Sequence, residues 1–520
     1  MGEICMGRRI ASWILGALLP AIAGTARADV RLPAVIGSNM VLQRDAPLPI
    51  WGWADPGEQV TVSLGANKTS ATAGADGKWQ VQLPAMTSSA EPVEMTVTGK
   101  NTINLKNILI GEVWLGSGQS NMQWPVSAAT QAAEEIQAAQ FPQIRLFLVP
   151  LVPSGTPADD VKARWEVCSP RTIPQFSAVL YFFGRELHKK LNGPIGLIAT
   201  SWGGTRIEPW IPPEGFALPE LKSELNSVVE AKARFQEARV QHLKVMRTWL
   251  EAAEKAADGK LDFPDAPALP QHPLNSNREP TGLYNGMIYP MVPFAFKGAI
   301  WYQGESNRGQ GMHYYDLMRG LIGGWRQIWK QGEFPFLFVQ LAPFRYQGSE
   351  TALPEIWEAQ TAALSIPNTG MAVTTDIATI EDIHPTNKQD VGRRLALWAL
   401  AKTYGRTEVY SGPLYQSMSQ EGNKIRIRFA HASGGLVARD QKALTWFAIA
   451  GKEKHFHPAS AVIDGETVVV QSPKVAQPVA VRFGWNQLAE PNLANQAGLP
   501  AGPFRTDRWA DATTETAPSP

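Results

Sequence analysis

The sequence predicts an α/β fold: a mostly parallel sheet covered by helices on both faces, with one β-rich region before it and another after it. Three observations carry this. Between about residues 110 and 403, short and wholly apolar runs alternate with stretches of helical periodicity, as strands buried on both faces do. Outside that span, apolar and polar residues alternate one by one, the period of half-buried strands. And 520 residues are too many for one hydrophobic core, so several domains are expected.

In chain order, residues 1–28 read as a secretory signal peptide. Arg8 and Arg9 precede the apolar run 10–24, and Ala26-Arg27-Ala28 closes it before Asp29. A membrane anchor needs about 20 apolar residues, and neither this run nor any later one is long and apolar enough. Cleavage after Ala28 would remove Cys5 and leave Cys168 as the single cysteine. The mature chain is then expected to be exported, periplasmic or secreted, without a membrane anchor.

Residues 29–109 read as a small antiparallel sandwich or jelly roll. Val60, Val62 and Leu64 alternate with polar residues, as do Trp79, Val81 and Leu83, and Asp76-Gly77 is expected to turn one strand into the other. Residues 110–403 form the α/β domain, with strands expected at 113–116, 144–149, 195–200, 299–303, 336–341 and 372–375. Phe176, Val179, Phe183, Leu187 and Leu191 repeat one helical face. The stretch 314–329 has the same period, although Gly320, Gly323 and Gly324 weaken it. An insertion at about 214–280 interrupts the domain. Its charged helical part, 218–257, has Leu221, Leu225, Val228, Leu243, Met246 and Leu250 as apolar members, and a Pro-rich strip follows at 264–280. It reads either as a wall or lid or as a surface hairpin with no role. Residues 404–510 return to β, with Ile425, Ile427 and Phe429, then 468–470, then Val479, Val481 and Phe483. The Thr/Ala/Pro-rich tail 511–520 is expected to be disordered.

Composition removes some functions. Lys+Arg 48 against Asp+Glu 47 leaves a net charge of +1, too little to grip nucleic acid. Two cysteines make neither a disulfide framework nor a multi-cysteine metal site. His455 and His457 lack an evident acidic cluster, so no metal is expected. Oligomeric state is not legible.

In open parallel sheets, ligands bind where strands end. Four such turns are unusual here. Gly116-Ser117-Gly118-Gln119-Ser120-Asn121-Met122 would put a serine at a helix start, among free backbone N–H groups; Ser117 or Ser120 serves equally as an N-cap. It is not a G-x-S-x-G elbow, because Met122 replaces the second glycine. Thr200-Ser201-Trp202-Gly203-Gly204-Thr205-Arg206 carries a glycine pair that admits close backbone approach or simply makes a tight turn. In Trp301-Tyr302-Gln303-Gly304-Glu305-Ser306-Asn307, an amide and a carboxylate leave a buried strand, for a ligand or for a satisfied network. Glu381-Asp382-Ile383-His384-Pro385 precedes a helix that Thr386 and Gln389 are expected to cap. The helix dipole would disfavour imidazolium at His384, leaving a neutral base beside a carboxylate. A nucleophile, oxyanion donors and a base with its orienter thus fall at one sheet edge.

The run Gly111-Glu112-Val113-Trp114-Leu115-Gly116-Ser117-Gly118-Gln119-Ser120-Asn121-Met122 resembles the signature of the sialate O-acetylesterase family, a branch of the SGNH hydrolases. Ser201-Trp202-Gly203-Gly204-Thr205, Trp301 with Gln303 to Asn307, and Asp382 to Pro385 with Asn387-Lys388 resemble the other family blocks, in order and across nearly the whole mature chain. The resemblance implies a three-layer α/β/α SGNH domain and deacetylation of O-acetylated carbohydrate, without cofactor or metal. By position, Ser120 is the nucleophile and His384 the base. The Ser120 N–H, Gly204 (or Gly203) and Gln303 form the oxyanion hole. Asp382 fits the D-I-H-P block as the triad acid, and Glu381, three residues before the histidine, is the alternative.

Arg206, Asn121, Glu305 and Asn285 are candidate substrate contacts, Arg206 for a sialate carboxylate. Trp124, Trp202, Trp210 and Trp301 are candidate sugar platforms or core residues. The expected substrates are O-acetylated sialic acids, with acetylxylan as the alternative. A non-catalytic carbohydrate-binding protein is the rival from another class.

Overall fold

A 17-residue strand, β1 (Thr102–Gly118), organises the molecule. Its first half alternates buried and exposed residues, while every residue from Ile108 onward is buried. The sequence changes in step, from Thr102-Ile103-Asn104-Leu105 to the nearly unbroken apolar Ile108 to Leu115. The strand therefore passes from a one-sided sheet into one covered on both faces. The computed structural model describes residues 29–510 and the backbone of 513–514. The expected signal peptide 1–28 and most of the tail 511–520 lie outside the described residues. Thr513–Thr514 pair in parallel with His455 and Phe456, so this part of the tail is a short strand.

The first half of β1 pairs antiparallel with Ser89–Thr98, and its middle pairs in parallel with Val41–Gln43. Its end joins the central sheet. The other strands there are β2 (Phe141–Leu148), β3 (Trp165–Cys168), β4 (Ile195–Ser201), β5 (Gly298–Tyr302), β6 (Phe336–Val339) and β7 (Thr369–Ala372). Their order is β7-β6-β5-β1-β4-β2-β3, and all run parallel except β3, which pairs antiparallel with β2. The protein is thus a mixed α/β fold with a large, mostly parallel sheet and several β-rich sheets.

Some sequence expectations shift. Asp76-Gly77 does not join the two N-terminal strands it was expected to join: Gln59–Leu64 turns back into Asn67–Thr72, and Lys78–Leu83 pairs with Leu48–Trp53. The intervening Asn67-Lys68-Thr69-Ser70-Ala71-Thr72 carries almost no apolar signal because none of its residues is buried. Strand β7 begins three residues earlier than its apolar run suggests. Gly370 is needed there, since a Cβ would lie 2.6 Å from the Trp398 ring.

The longer helices are α1 (Ala178–Leu191), α2 (Lys222–Asp258), α3 (His313–Trp329), α4 (Ala352–Ala362) and α5 (Lys388–Trp398). Ser177 caps α1, accepting from the Leu180 N–H at 3.2 Å. Helix α3 is unbroken, and two of its three glycines are contact points: a Cβ on Gly320 would sit 2.7 Å from Leu221 and 2.8 Å from the Gly215 carbonyl oxygen, and one on Gly324 2.6 Å from Pro212, whereas Gly323 faces open space. Helix α2 is a single 37-residue rod of which only Val228, Ala231 and Ala253 are buried. Leu243 and Leu250, expected on its apolar face, are exposed. The expected cap of α5 moves by one residue. Asn387, not Thr386, is the N-cap, and its side chain accepts from the Asp390 N–H at 3.1 Å.

Beyond α5, Leu414–Glu421, Lys424–Ala430, Thr467–Gln471 and Ser460–Asp464 form a four-stranded sheet. A second sheet is built on Phe447–Ala450 and Ala480–Phe483. Their apolar core is separate from the one shared by the N-terminal and α/β regions.

Candidate active site

The site forms where β1, β4 and β5 end. Gly118, the last residue of β1, has φ of 141°, and a Cβ there would lie 2.2 Å from the Tyr302 carbonyl oxygen. Only glycine lets the two strands close at this level. The same carbonyl accepts the Gln119 N–H at 3.0 Å, and the next residue, Ser120, opens a one-turn helix to Gln123. Ser117, the other candidate, is fully buried within β1. Ser120 is half-buried.

Across the cleft, His384 Nε2 lies 2.8 Å from Ser120 Oγ, although 264 positions separate them. The imidazole stacks on Trp124, with ring centroids 4.8 Å apart and planes within 18°. Asp382 Oδ1 accepts the His384 backbone N–H at 2.9 Å and stands 3.9 Å from His384 Nδ1. Glu381 instead pairs with Arg345 at 2.9 Å and is 72% exposed. Of the two carboxylates, the structure puts Asp382 at the imidazole. Burial, then the nearby Lys388, pushes the His384 pKa below the ordinary histidine value, and Asp382 opposes this.

The glycine pair sits against the serine as its sequence suggested. A Cβ on Gly203 would be 3.3 Å from Ser120 Cβ. The Gly203 N–H is committed to Gln123 Oε1 at 2.7 Å, which removes Gly203 as an oxyanion donor. Gly204 follows at φ of 73°, and its N–H meets no acceptor among the described residues.

Gln303 departs from expectation. It is fully buried, and its Nε2 faces three acceptors: Gln119 Oε1 at 3.1 Å, the Thr205 carbonyl at 3.1 Å and Asn307 Oδ1 at 2.6 Å. Its Oε1 accepts from Tyr314 at 2.9 Å. Two N–H bonds spent on three internal acceptors leave none for an oxyanion in this arrangement.

The expected substrate contacts are also internally engaged. Asn121 is 1% exposed and donates to Glu305 Oε1 at 2.6 Å and to the Ile383 carbonyl at 3.0 Å. Glu305 Oε2 is buried without a partner, and burial raises this carboxyl's pKa. Asn285, 4% exposed, donates to the Ser154 carbonyl at 3.1 Å and faces Thr281 Oγ1 at 3.4 Å, neither of which belongs to the Ser120 turn. Arg206 is half-exposed but paired with Glu208 at 2.5 Å. Among the tryptophans, Trp210 and Trp301 are core residues, Trp124 backs the histidine, and Trp202 remains half-buried.

Gln123 and Lys388 were not singled out for any role. Gln123 had a faint signal, three residues after Ser120 and so on the same side of a helical turn. Lys388 had none beyond its place in a motif. It is fully buried and donates to Asn121 Oδ1 at 2.5 Å.

A family model described as carbohydrate esterase, sialic acid-specific acetylesterase, matches residues 275–401. The mouse sialate O-acetylesterase is 32% identical over 77% of this chain and 79% of its own length. The human sialate O-acetylesterase is 29% identical, over 94% and 96%. A crystal structure of a carbohydrate acetylesterase from Xanthomonas citri superposes with a TM-score of 0.79 at 36% identity, covering 92% of this chain and all of that one.

Proposed function

The chain belongs to the sialate O-acetylesterase family and is a carboxylic ester hydrolase, and on that premise we propose that it removes acetyl groups from O-acetylated sugars by a serine acyl-enzyme mechanism. O-acetylated sialic acids are the first substrate class. The observation that carries the mechanism is the 2.8 Å contact between Ser120 Oγ and His384 Nε2.

Ser120 Oγ attacks the acetyl carbonyl as His384 Nε2 takes its proton. The developing oxyanion is held by the Ser120 and Gly204 N–H groups. Asp382 stabilises the imidazolium through its carboxylate and fixes the histidine backbone through the 2.9 Å bond. His384 then protonates the departing sugar oxygen and activates a water that releases acetate from Ser120. The three-layer α/β/α arrangement belongs to the same reading. It is supported by Trp398 of α5 against Gly370 and Leu197 of β4 against Gly184 of α1, and by Trp325 of α3 against Trp301 and Phe336. Export to the periplasm or medium rests on the pattern in residues 1–28, and a mature chain beginning at Asp29 is its check.

One observation favours a second substrate reading. With Arg206 neutralised by Glu208, the cation expected to meet a sialate carboxylate is already paired, which suits a neutral substrate such as acetylxylan. Acetate release from O-acetylated sialosides and from acetyl-xylooligosaccharides decides between them. Ser120→Ala is expected to lower kcat by about 10⁴-fold or more with an unchanged circular dichroism spectrum. Ordinary turnover in that variant would remove Ser120 from the mechanism.

A further inference from the structure

Lys388 is a cation in an unfavourable place. It is the first residue of α5, at the positive end of the helix dipole, and it is fully buried. Its Nζ donates to Asn121 Oδ1 at 2.5 Å and lies 5.7 Å from the Trp124 ring centroid and 5.5 Å from that of Tyr302. Asn121 in turn holds Glu305 Oε1 and the Ile383 carbonyl. Through one buried amide, the lysine is therefore tied to three points: the turn carrying Ser120, the loop carrying His384, and the strand-end carboxylate of Glu305.

We propose that Lys388 is a positioning residue for the ester hydrolysis: through Asn121 it locks the His384 loop to the Ser120 turn, and its positive charge keeps the imidazole unprotonated. The proposal rests on the serine–histidine reading above. Removing an ammonium from water is costly, and a merely structural link could be made by an uncharged side chain. Its charge acts on the titrating groups around it: Glu305, whose ionised form it favours, Asp382, and His384, whose ring stacks on the same Trp124 that the lysine faces.

The charges around the pair come from every neighbouring element. The His384 loop contributes Asp382, which raises the pKa values of both His384 and Lys388; the end of β5 contributes Glu305, which raises that of Lys388. The Ser120 turn contributes Asn121 and Trp124, both uncharged, and Tyr302 is held neutral because burial pushes its pKa far up. Burial outweighs the two carboxylates and brings the Lys388 pKa down to about 7. Because His384 titrates below the ordinary histidine value, a lysine with a pKa of about 7 is mostly protonated there and repels the imidazolium. The sign follows: lysine charge extends esterase activity toward lower pH.

The test is the pH dependence of kcat/KM on a small acetyl ester for the full chain and for Lys388→Met, Lys388→Gln and Lys388→Arg. The wild-type acid limb is expected below pH 6.5. Met and Gln, which remove the charge, should move it upward, so that the ratio of activity at pH 8 to that at pH 6 rises at least threefold. Arg should keep it near the wild-type position, and KM should change little throughout. A wild-type limb at or above 6.5 overturns the proposal even if no variant folds, as does an unmoved limb in a charge-free variant that melts like the wild type. Ser120→Ala and His384→Ala measured in parallel separate the two failures. If they stay active the mechanism itself is wrong, whereas inactive controls with an unmoved limb refute only the role of Lys388.

Discussion

At the scale of single residues, the site separates groups whose chemistry is visible in a motif from groups whose role depends on what lies beside them. Ser120 and His384 carry reactive atoms, and their strand-end turns marked them in the sequence. The acid was ambiguous because Glu381 and Asp382 are adjacent and chemically alike, and only the loop's path turns one toward the imidazole and the other toward Arg345. The consequence is measurable. Asp382 is half-exposed and makes no hydrogen bond to Nδ1, so Asp382→Asn should lower kcat about tenfold, well short of the roughly 10⁴-fold loss expected when a buried, hydrogen-bonded triad acid is replaced. Glu381→Gln should stay within about twofold, since an exposed ion pair contributes little. Steady-state kinetics on a small acetyl ester compares them, and a larger loss in the Glu381 variant would reverse the assignment. Gln303 was ambiguous because an amide leaving a buried strand has the same sequence signature whether it faces a ligand or a network. Here Gln119, Thr205 and Asn307 take its donors.

At the scale of elements, apolar content decided legibility. Strands β4, β5 and β6 were readable because every residue in them is buried. The strand Asn67–Thr72 was not, because its residues stay partly or fully exposed and it is held mainly by backbone pairing, with one Thr61–Ser70 hydroxyl contact at 2.8 Å and Ala71 against the core. Helix α2 shows the converse: its length was legible from its periodicity, but its burial was not, since a helix can display apolar residues that no neighbour covers. At the 109/110 boundary the two regions are not structurally separate. The strand β1 runs through it, with Val41–Gln43 beside Leu109 to Gly111 on the way into the central sheet. The two regions therefore share backbone hydrogen bonds and one apolar core. A chain beginning at Thr102 would expose the edge of β1 and the core face of Leu109 and Ile110, and is expected to aggregate rather than melt cooperatively. A soluble product with a single sharp calorimetric transition would show the α/β region to be independent.

At the scale of the whole molecule, the sequence by itself determined the mixed α/β class, the buried strands and main helices of the central region, and the two pieces of chain that carry serine and histidine. These are local properties: periodicity records which faces are buried, and the strand-end turns need glycine or a capping group whatever the distant chain does. Tertiary structure alone decided which groups meet. It put His384 against Ser120 and Trp124, turned Asp382 rather than Glu381 toward the ring, spent Gly203 on Gln123, and drew Gln303, Asn121 and Glu305 into internal networks. It also buried Lys388, a residue type that ordinarily stays in solvent, beside the loop that carries His384. The physical reason is that hydrogen-bond capacity and charge are properties of a residue, whereas their partners are supplied by chain hundreds of positions away. A donor's function is settled by which acceptors the fold has already given it.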